Sequence, residues 1–503
     1  MAPKSSIAEA SAFPFRYAAL ALLLPVALWL YYPSAPAPTP PPNATATQLA
    51  VAPEAARCPA QVQPLNVGAD WHPEDDAAYK SQAVERLRDA VRIRTEAFDD
   101  MGGPEDPRFE SFLELHSLLE ASYPKVFSSL QVEKVRRHGL LVTWQGTDPS
   151  LKPVVLMAHQ DVVPVDAITA SRWTHPPFSA HLDEDGWIWG RGTTDCKNTL
   201  LGALSAFEKL LEDGHQPTRT IIISSGADEE IGGTRSAKYI AERLEERHGY
   251  DGVAFILDEG ISAIDQAYGL TLARLGIAEK GAVSIKLDVL TPGGHSSVPH
   301  GSHTGIGILA KLVTTLEENP ELPIMREGSP LLTELQCAAD YGRLPPALKA
   351  SVRDPSRWEA LSRQMSAKDN IVRAFIGTTQ AVDLIHGGVK INALPEFATA
   401  SANYRINFLS SVNTTLDHLI TVLRPTVKSF NLTFDVLGSH ADIDNNVVRF
   451  SVLPTTAHEP APLTPTSGPV WELMAATTRH IWKGAVVTPS GMIGERHGHE
   501  GNF

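Results

Sequence analysis

Cysteine is scarce in this chain: Cys58, Cys196 and Cys337 are the only three in 503 residues. So few, so widely scattered, build neither a disulfide framework nor a thiolate metal site, and any bound metal must then be held by histidine and carboxylate. Positive charge is also short. Forty-three Lys and Arg face 58 Asp and Glu, for a formal net charge of -15. With a pI near 5.6, no basic stripe is available to displace counterions from phosphates, which argues against a nucleic-acid partner. No internal repeat is found.

Long uncharged apolar runs are confined to the start, where Lys4 and Arg16 precede sixteen uncharged residues, Tyr17 to Tyr32, broken only by Pro25. This stretch directs the chain to a membrane, either as a signal anchor with residues 1–16 in the cytosol or as a cleaved signal peptide. It is short for a span of roughly 20 residues, but Trp29, Tyr31 and Tyr32 suit a membrane interface. Sequons at Asn43, Asn413 and Asn431 fit export and glycosylation of the chain beyond residue 32. Six prolines from Pro33 to Pro42 make residues 33–69 an extended, semi-rigid linker, so the folded body is expected to begin near residue 70.

A body of this length exceeds one hydrophobic core, and two folded units are expected. Helical periodicity runs from Ala77 to about Ser122. Strands at 139–145, 154–158, 219–225 and 253–258 then alternate with helices at 198–213 and 236–248. That alternation implies an α/β unit with a mixed, mostly parallel sheet flanked by helices. From Gly281 the pattern changes, with Val283, Ile285, Leu287 and Val289 alternating with polar residues as in a strand with one wet face. A helix at 304–316, alternation at 398–408, a helix near 414–423 and a strand at 432–437 come next. The expected division is 70–279 for the first part of the larger unit and 280–440 for an inserted, smaller α+β unit. Residues 441–503, with a helix at 468–483, then return to the larger one.

Chemistry gathers at the ends of the first strands. His159-x-Asp161 follows Val154–Ala158, Glu229-Glu230 follows Ile221–Ile223, and Asp258 follows Val253–Leu257. Asp195 lies in a loop containing Gly190 and Gly192. Ligands collect at the carboxyl ends of strands in open α/β sheets, and a two-metal hydrolytic site needs imidazole or carboxylate ligands, a shared carboxylate and a base. His159 can ligate one metal, Asp161 can take its other ring hydrogen, Asp195 can bridge, and Asp258 can serve the second metal. Of Glu229 and Glu230, one can bind metal while the other meets the water. Cys196, beside Asp195, reads as a packing residue.

By these motifs, the sequence resembles the M20 family of metallopeptidases, in its Gly-X carboxypeptidase branch. The matching segments are Met157-Ala158-His159-Gln160-Asp161-Val162-Val163-Pro164, Gly190-Arg191-Gly192-Thr193-Thr194-Asp195-Cys196-Lys197, Asp228-Glu229-Glu230-Ile231-Gly232-Gly233 and Leu257-Asp258-Glu259-Gly260. The resemblance implies two zinc ions held by His159, Asp195, Glu230 and Asp258, with Asp161 as orienting acid and Glu229 as proton acceptor. It also implies that the inserted unit is a lid that pairs subunits into a homodimer and brings three residues to the substrate: His295 in Gly293-Gly294-His295-Ser296-Ser297, Asn392 and Arg405. The expected activity is hydrolysis of the C-terminal bond of small peptides, in a vacuolar lumen beyond a single-pass anchor or as a secreted protein. An N-acyl amino-acid hydrolase is the alternative. The family's late histidine ligand has no counterpart after Met492, which leaves the second zinc site incomplete. His497 or His499 could substitute, and a catalytically dead scaffold is the third reading.

Overall fold

The computed structural model describes residues 58–67, 71–260, 264–440 and 442–494. The stretch 17–32 and the Asn43 sequon lie outside these residues. Among the described residues no helix is long and apolar enough to cross a membrane. This corrects the expectation of a membrane-anchored protein, and the vacuolar placement that rested on the anchor goes with it.

The chain divides into two compact units. The first spans Val67–Glu259 and is built on a sheet of β1 (Gln131–Val135), β2 (Gly139–Trp144), β3 (Val154–Met157), β6 (Ile221–Ser225) and β7 (Phe255–Leu257), in the order β1-β2-β6-β3-β7. β3 runs parallel to both β6 and β7, whereas β2 is antiparallel to β1 and β6. A small hairpin of β4 (His181–Leu182) and β5 (Ile188–Trp189) stands apart. Five helices accompany the strands: α1 (Ala77–Arg92), α2 (Glu110–Ser122), α3 (Pro124–Ser129), α4 (Lys197–Glu212) and α5 (Ala237–His248).

The apolar strands explain the layering, because successive side chains point to opposite faces. Leu140, Val142, Trp144 and Ile223 pack with residues of α1 to α4, among them Ala90, Leu115, Val126 and Leu204, and with Tyr123 between α2 and α3. Their neighbours Leu141, Ile222 and Val155 pack instead with Ile240 and Leu244 of α5. Burying both faces requires the continuous hydrophobic runs seen in β2, β3 and β6.

The second unit takes the described residues before 67 and those from 260 on. One five-stranded sheet joins β10 (Gly281–Leu290), β12 (Thr379–Gly387), β14 (Phe397–Ile406), β15 (Thr433–Val436) and β16 (Val447–Val452) in the order β12-β14-β10-β16-β15. A two-stranded ribbon pairs β11 (Gly294–His295) with β13 (Ala393–Leu394), and a three-stranded sheet sets β9 (Leu270–Glu279) between β8 (Ile264–Ala267) and β17 (Val486–Met492). The wet-faced strand is borne out: Val283, Ile285, Leu287 and Val289 are buried under α6 (Gly305–Glu318) and α11 (Val412–Ser429), through Leu309, Leu312, Leu416 and Leu423. Four helices, α7 (Pro330–Tyr341), α8 (Pro346–Val352), α9 (Trp358–Ser366) and α10 (Asn370–Ile376), share a core of their own. Finally α12 (Pro469–Ile481) packs Trp471 and Ala475 with Val487 of β17 and Ala273 of β9.

Residues 58–66, counted with the linker from composition, are tied into this unit. Cys58 and Cys337 of α7 form a disulfide. The Gln61 amide donates to the Val487 carbonyl and accepts from the Val487 N–H, both at 2.8 Å, as a neighbouring strand would. The cysteine count rules out a framework of bridges, yet it conceals this single one, because partners 279 residues apart leave no local spacing signal.

Candidate metal centre

β6, β3 and β7 are adjacent and parallel, so their carboxyl ends lie on one edge of the sheet. His159 follows β3, the Glu229-Glu230 pair follows β6 in a short helical turn, Glu229–Ile231, and Asp258-Glu259 directly follows β7. Asp195 precedes Cys196, the residue capping α4.

The buried His159 ring is the hub. Its Nε2 lies 2.8 Å from Asp195 Oδ1, 3.4 Å from Glu259 Oε1 and 3.9 Å from Glu229 Oε2. Its Nδ1 faces the Asp161 backbone carbonyl at 2.9 Å, with the carboxylate Oδ1 further off at 3.4 Å. The main-chain carbonyl is thus the nearer partner of Nδ1 and the Asp161 carboxylate the second. That carboxylate, fully buried, also accepts the backbone N–H groups of Glu229 at 3.0 Å and Glu230 at 2.9 Å, fixing the turn that carries both glutamates.

Among the described residues, two sets of donor atoms each gather within 4.8 Å: His159, Glu229 and Glu230, and His159, Asp195, Cys196 and Glu259. Sequence reasoning passed over the last two. Cys196 does more than pack, since its Sγ accepts the His159 N–H at 3.1 Å. Glu259 belongs to the same Leu257–Gly260 motif, and its position beside Asp258 was the available signal. Asp258 turns its Oδ1 back to the N–H of Glu259 at 2.8 Å and is in neither set.

Electrostatics match a cation site. Burial alone would hold the His159 imidazole down, but hydrogen bonds to Asp161 and Asp195 outweigh it and raise its pKa well above the ordinary value. Burial pushes Glu230 up to about 7, helped by the nearby Asp195 and Asp161 charges. Crowded carboxylates around one imidazole hold protons that a divalent cation would displace, and a nitrogen and oxygen donor set of this kind suits zinc. The residues present thus fit a dinuclear zinc site, with His497 and His499 outside the described residues.

His295, Asn392 and Arg405 belong to the second unit. The exposed His295 sits on β11, its Nδ1 accepting the Ser297 N–H at 3.1 Å. Asn392 stands beside it, its carbonyl accepting the Ser296 N–H at 3.3 Å. Arg405 is not gathered with them: it lies near the far end of β14, opposite Ala282 and Thr379, roughly 27 Å along the strand from Phe397 at ~3.4 Å per residue.

Comparison with known proteins agrees with this geometry. Residues 155–500 match the family model described as peptidase family M20/M25/M40. Carboxypeptidase S of Saccharomyces cerevisiae is 40% identical over 421 residues, 82% of this chain and 73% of that protein. An N-fatty-acyl-amino acid synthase/hydrolase of Homo sapiens is 33% identical over 80% of this chain and 74% of its own length. Among solved structures, an M20 family metallo-carboxypeptidase from Sulfolobus solfataricus superposes with a TM-score of 0.55 at 17% identity, covering 82% of this chain and 87% of that one.

Proposed function

The chain belongs to peptidase family M20/M25/M40, and on that premise we propose that this metallo-hydrolase removes the C-terminal residue from small peptides of the Gly-X type. The observation that carries the reading is the convergence of Asp195, Glu229 and Glu259 on one buried imidazole edge.

His159, Asp195 and Glu230, with the strand-end carboxylates of Asp258 and Glu259, would hold two zinc ions, which supply Lewis-acid polarisation of a carbonyl and acidify a water. Glu229 is the proton carrier: it takes a proton from the attacking water and hands it to the leaving amine. Its carboxylate is only 14% exposed, which keeps competing solvent from it. Asp161 positions Glu229 and Glu230 through their amides. Of the second unit's residues, His295 and Asn392 stand together and are the candidate substrate contacts, whereas Arg405, far along β14 from them, has no part in holding the same dipeptide.

Zinc-loaded Glu229→Gln should release leucine from a blocked Gly-Leu substrate about 10²- to 10⁴-fold more slowly at unchanged zinc content. Release at the parental rate would sink the assignment. Similarity to N-fatty-acyl-amino acid hydrolases supports a second reading, and a fatty-acyl amino acid assayed beside the dipeptide decides between them.

A further inference from the structure

Gln160 stands between His159 and Asp161 and is fully buried, and the proposed mechanism gives it no part. In an extended segment its side chain points away from those of its two neighbours. There its Nε2 donates to the His138 carbonyl and to the Ser225 carbonyl, both at 2.9 Å, and its Oε1 lies 2.8 Å from Nε2 of His116. Two carbonyls facing the amide nitrogen fix the amide's orientation, so Oε1 must accept and His116 must carry its hydrogen on Nε2. The main chain is held as firmly: Gln160 N donates to the Gly226 carbonyl at 2.9 Å and its own carbonyl accepts the Thr95 hydroxyl at 2.7 Å. Every polar group of this residue is thereby matched, and the partners come from α2, the β1–β2 turn, the end of β6 and the segment after α1.

We propose that Gln160 and His116 form a positioning bracket that sets the angle at which His159 and Asp161 face the metal centre. The inference rests on the zinc-hydrolase reading. The bracket acts from behind the turn: a Gln160 held at three side-chain points cannot roll, and rolling is the motion that would swing His159 and Asp161 away together. His116 and His138 are both buried, so no solvent molecule stands ready to replace a lost bond.

The test uses the full chain. Gln160→Leu and His116→Leu should each weaken zinc binding 10- to 100-fold in competition with a chromogenic chelator, the range typical of groups that orient metal ligands. They should lower kcat similarly while KM stays within about twofold, because ligand angle rather than substrate contact is altered. His116→Gln, which restores a donor toward Gln160, should recover most of both and guards against a variant that merely fails to fold. If the leucine variants bind zinc and turn over like the parent, with only the melting temperature lowered, the bracket is a packing feature and the proposal is wrong. Parental protein that binds no zinc would overturn the underlying reading and the bracket with it.

Discussion

At the scale of single residues, Glu230 makes the site's pH behaviour predictable. Its carboxyl, pushed up to about 7 by burial, must lose a proton before it can ligate a cation. Zinc binding near neutrality should therefore release protons, and apparent affinity should fall steeply as pH drops below 7. Isothermal titration calorimetry in two buffers of different ionisation enthalpy measures that release, and a pH-independent affinity between 5.5 and 8 would contradict it. Most of the site was legible because His159, Asp195 and the Glu229-Glu230 pair carry distinctive neighbours along the chain. Glu259 was not. Adjacent carboxylates after a strand face opposite sides, and which one faces the cluster depends on β7's register against β3, Leu156 opposite Leu257, a non-local fact that local pattern does not contain.

Elements show the same division between local and non-local signal. The strands β2, β3 and β6 and the helices α1, α4 and α5 lie within a few residues of where periodicity places them, since each carries its own apolar pattern. β1 carries Glu133 and Lys134 on a sheet edge, and β17 contains Pro489, tolerated because β17 is also an edge. The helices α8 to α10 have only seven to nine residues each, too short for periodicity to declare them. The start of α5 depends on a residue outside it: the buried Asp228 carboxylate accepts the N–H groups of Ser236 at 2.8 Å and Ala237 at 2.9 Å, while Ser236 itself makes no side-chain cap. Asp228→Ala leaves those buried donors unmatched and should cost roughly 1–3 kcal/mol. A lowered midpoint in urea unfolding would register the loss, and an unchanged midpoint would show that water or another acceptor takes over.

On the scale of the whole molecule, the bond between Cys58 and Cys337 closes a span of 279 residues. Chain-entropy arguments give a cross-link over so long a loop about 5.6 kcal/mol of stabilisation. Cys337→Ala should therefore lower the thermal transition of the unit holding β9, β17 and α7, without altering the zinc content of the unit holding His159. Calorimetric scans that superpose for the two proteins would refute the first expectation.

That bond also bears on how the protein can be produced. A host compartment that keeps thiols reduced would deliver chains in which the segment from 58 to 66 is held without a covalent bond, by the Gln61 amide on Val487, the Leu65 N–H on the Ala476 carbonyl, the Arg479 guanidinium on the Val62 carbonyl and the packing of Val62. Such material would be a mixture, some molecules sealing the bridge during purification and others fraying at this end, and its apparent heat resistance would drift from batch to batch. Secretion into an oxidising milieu, where cystines persist, should instead yield one uniform species.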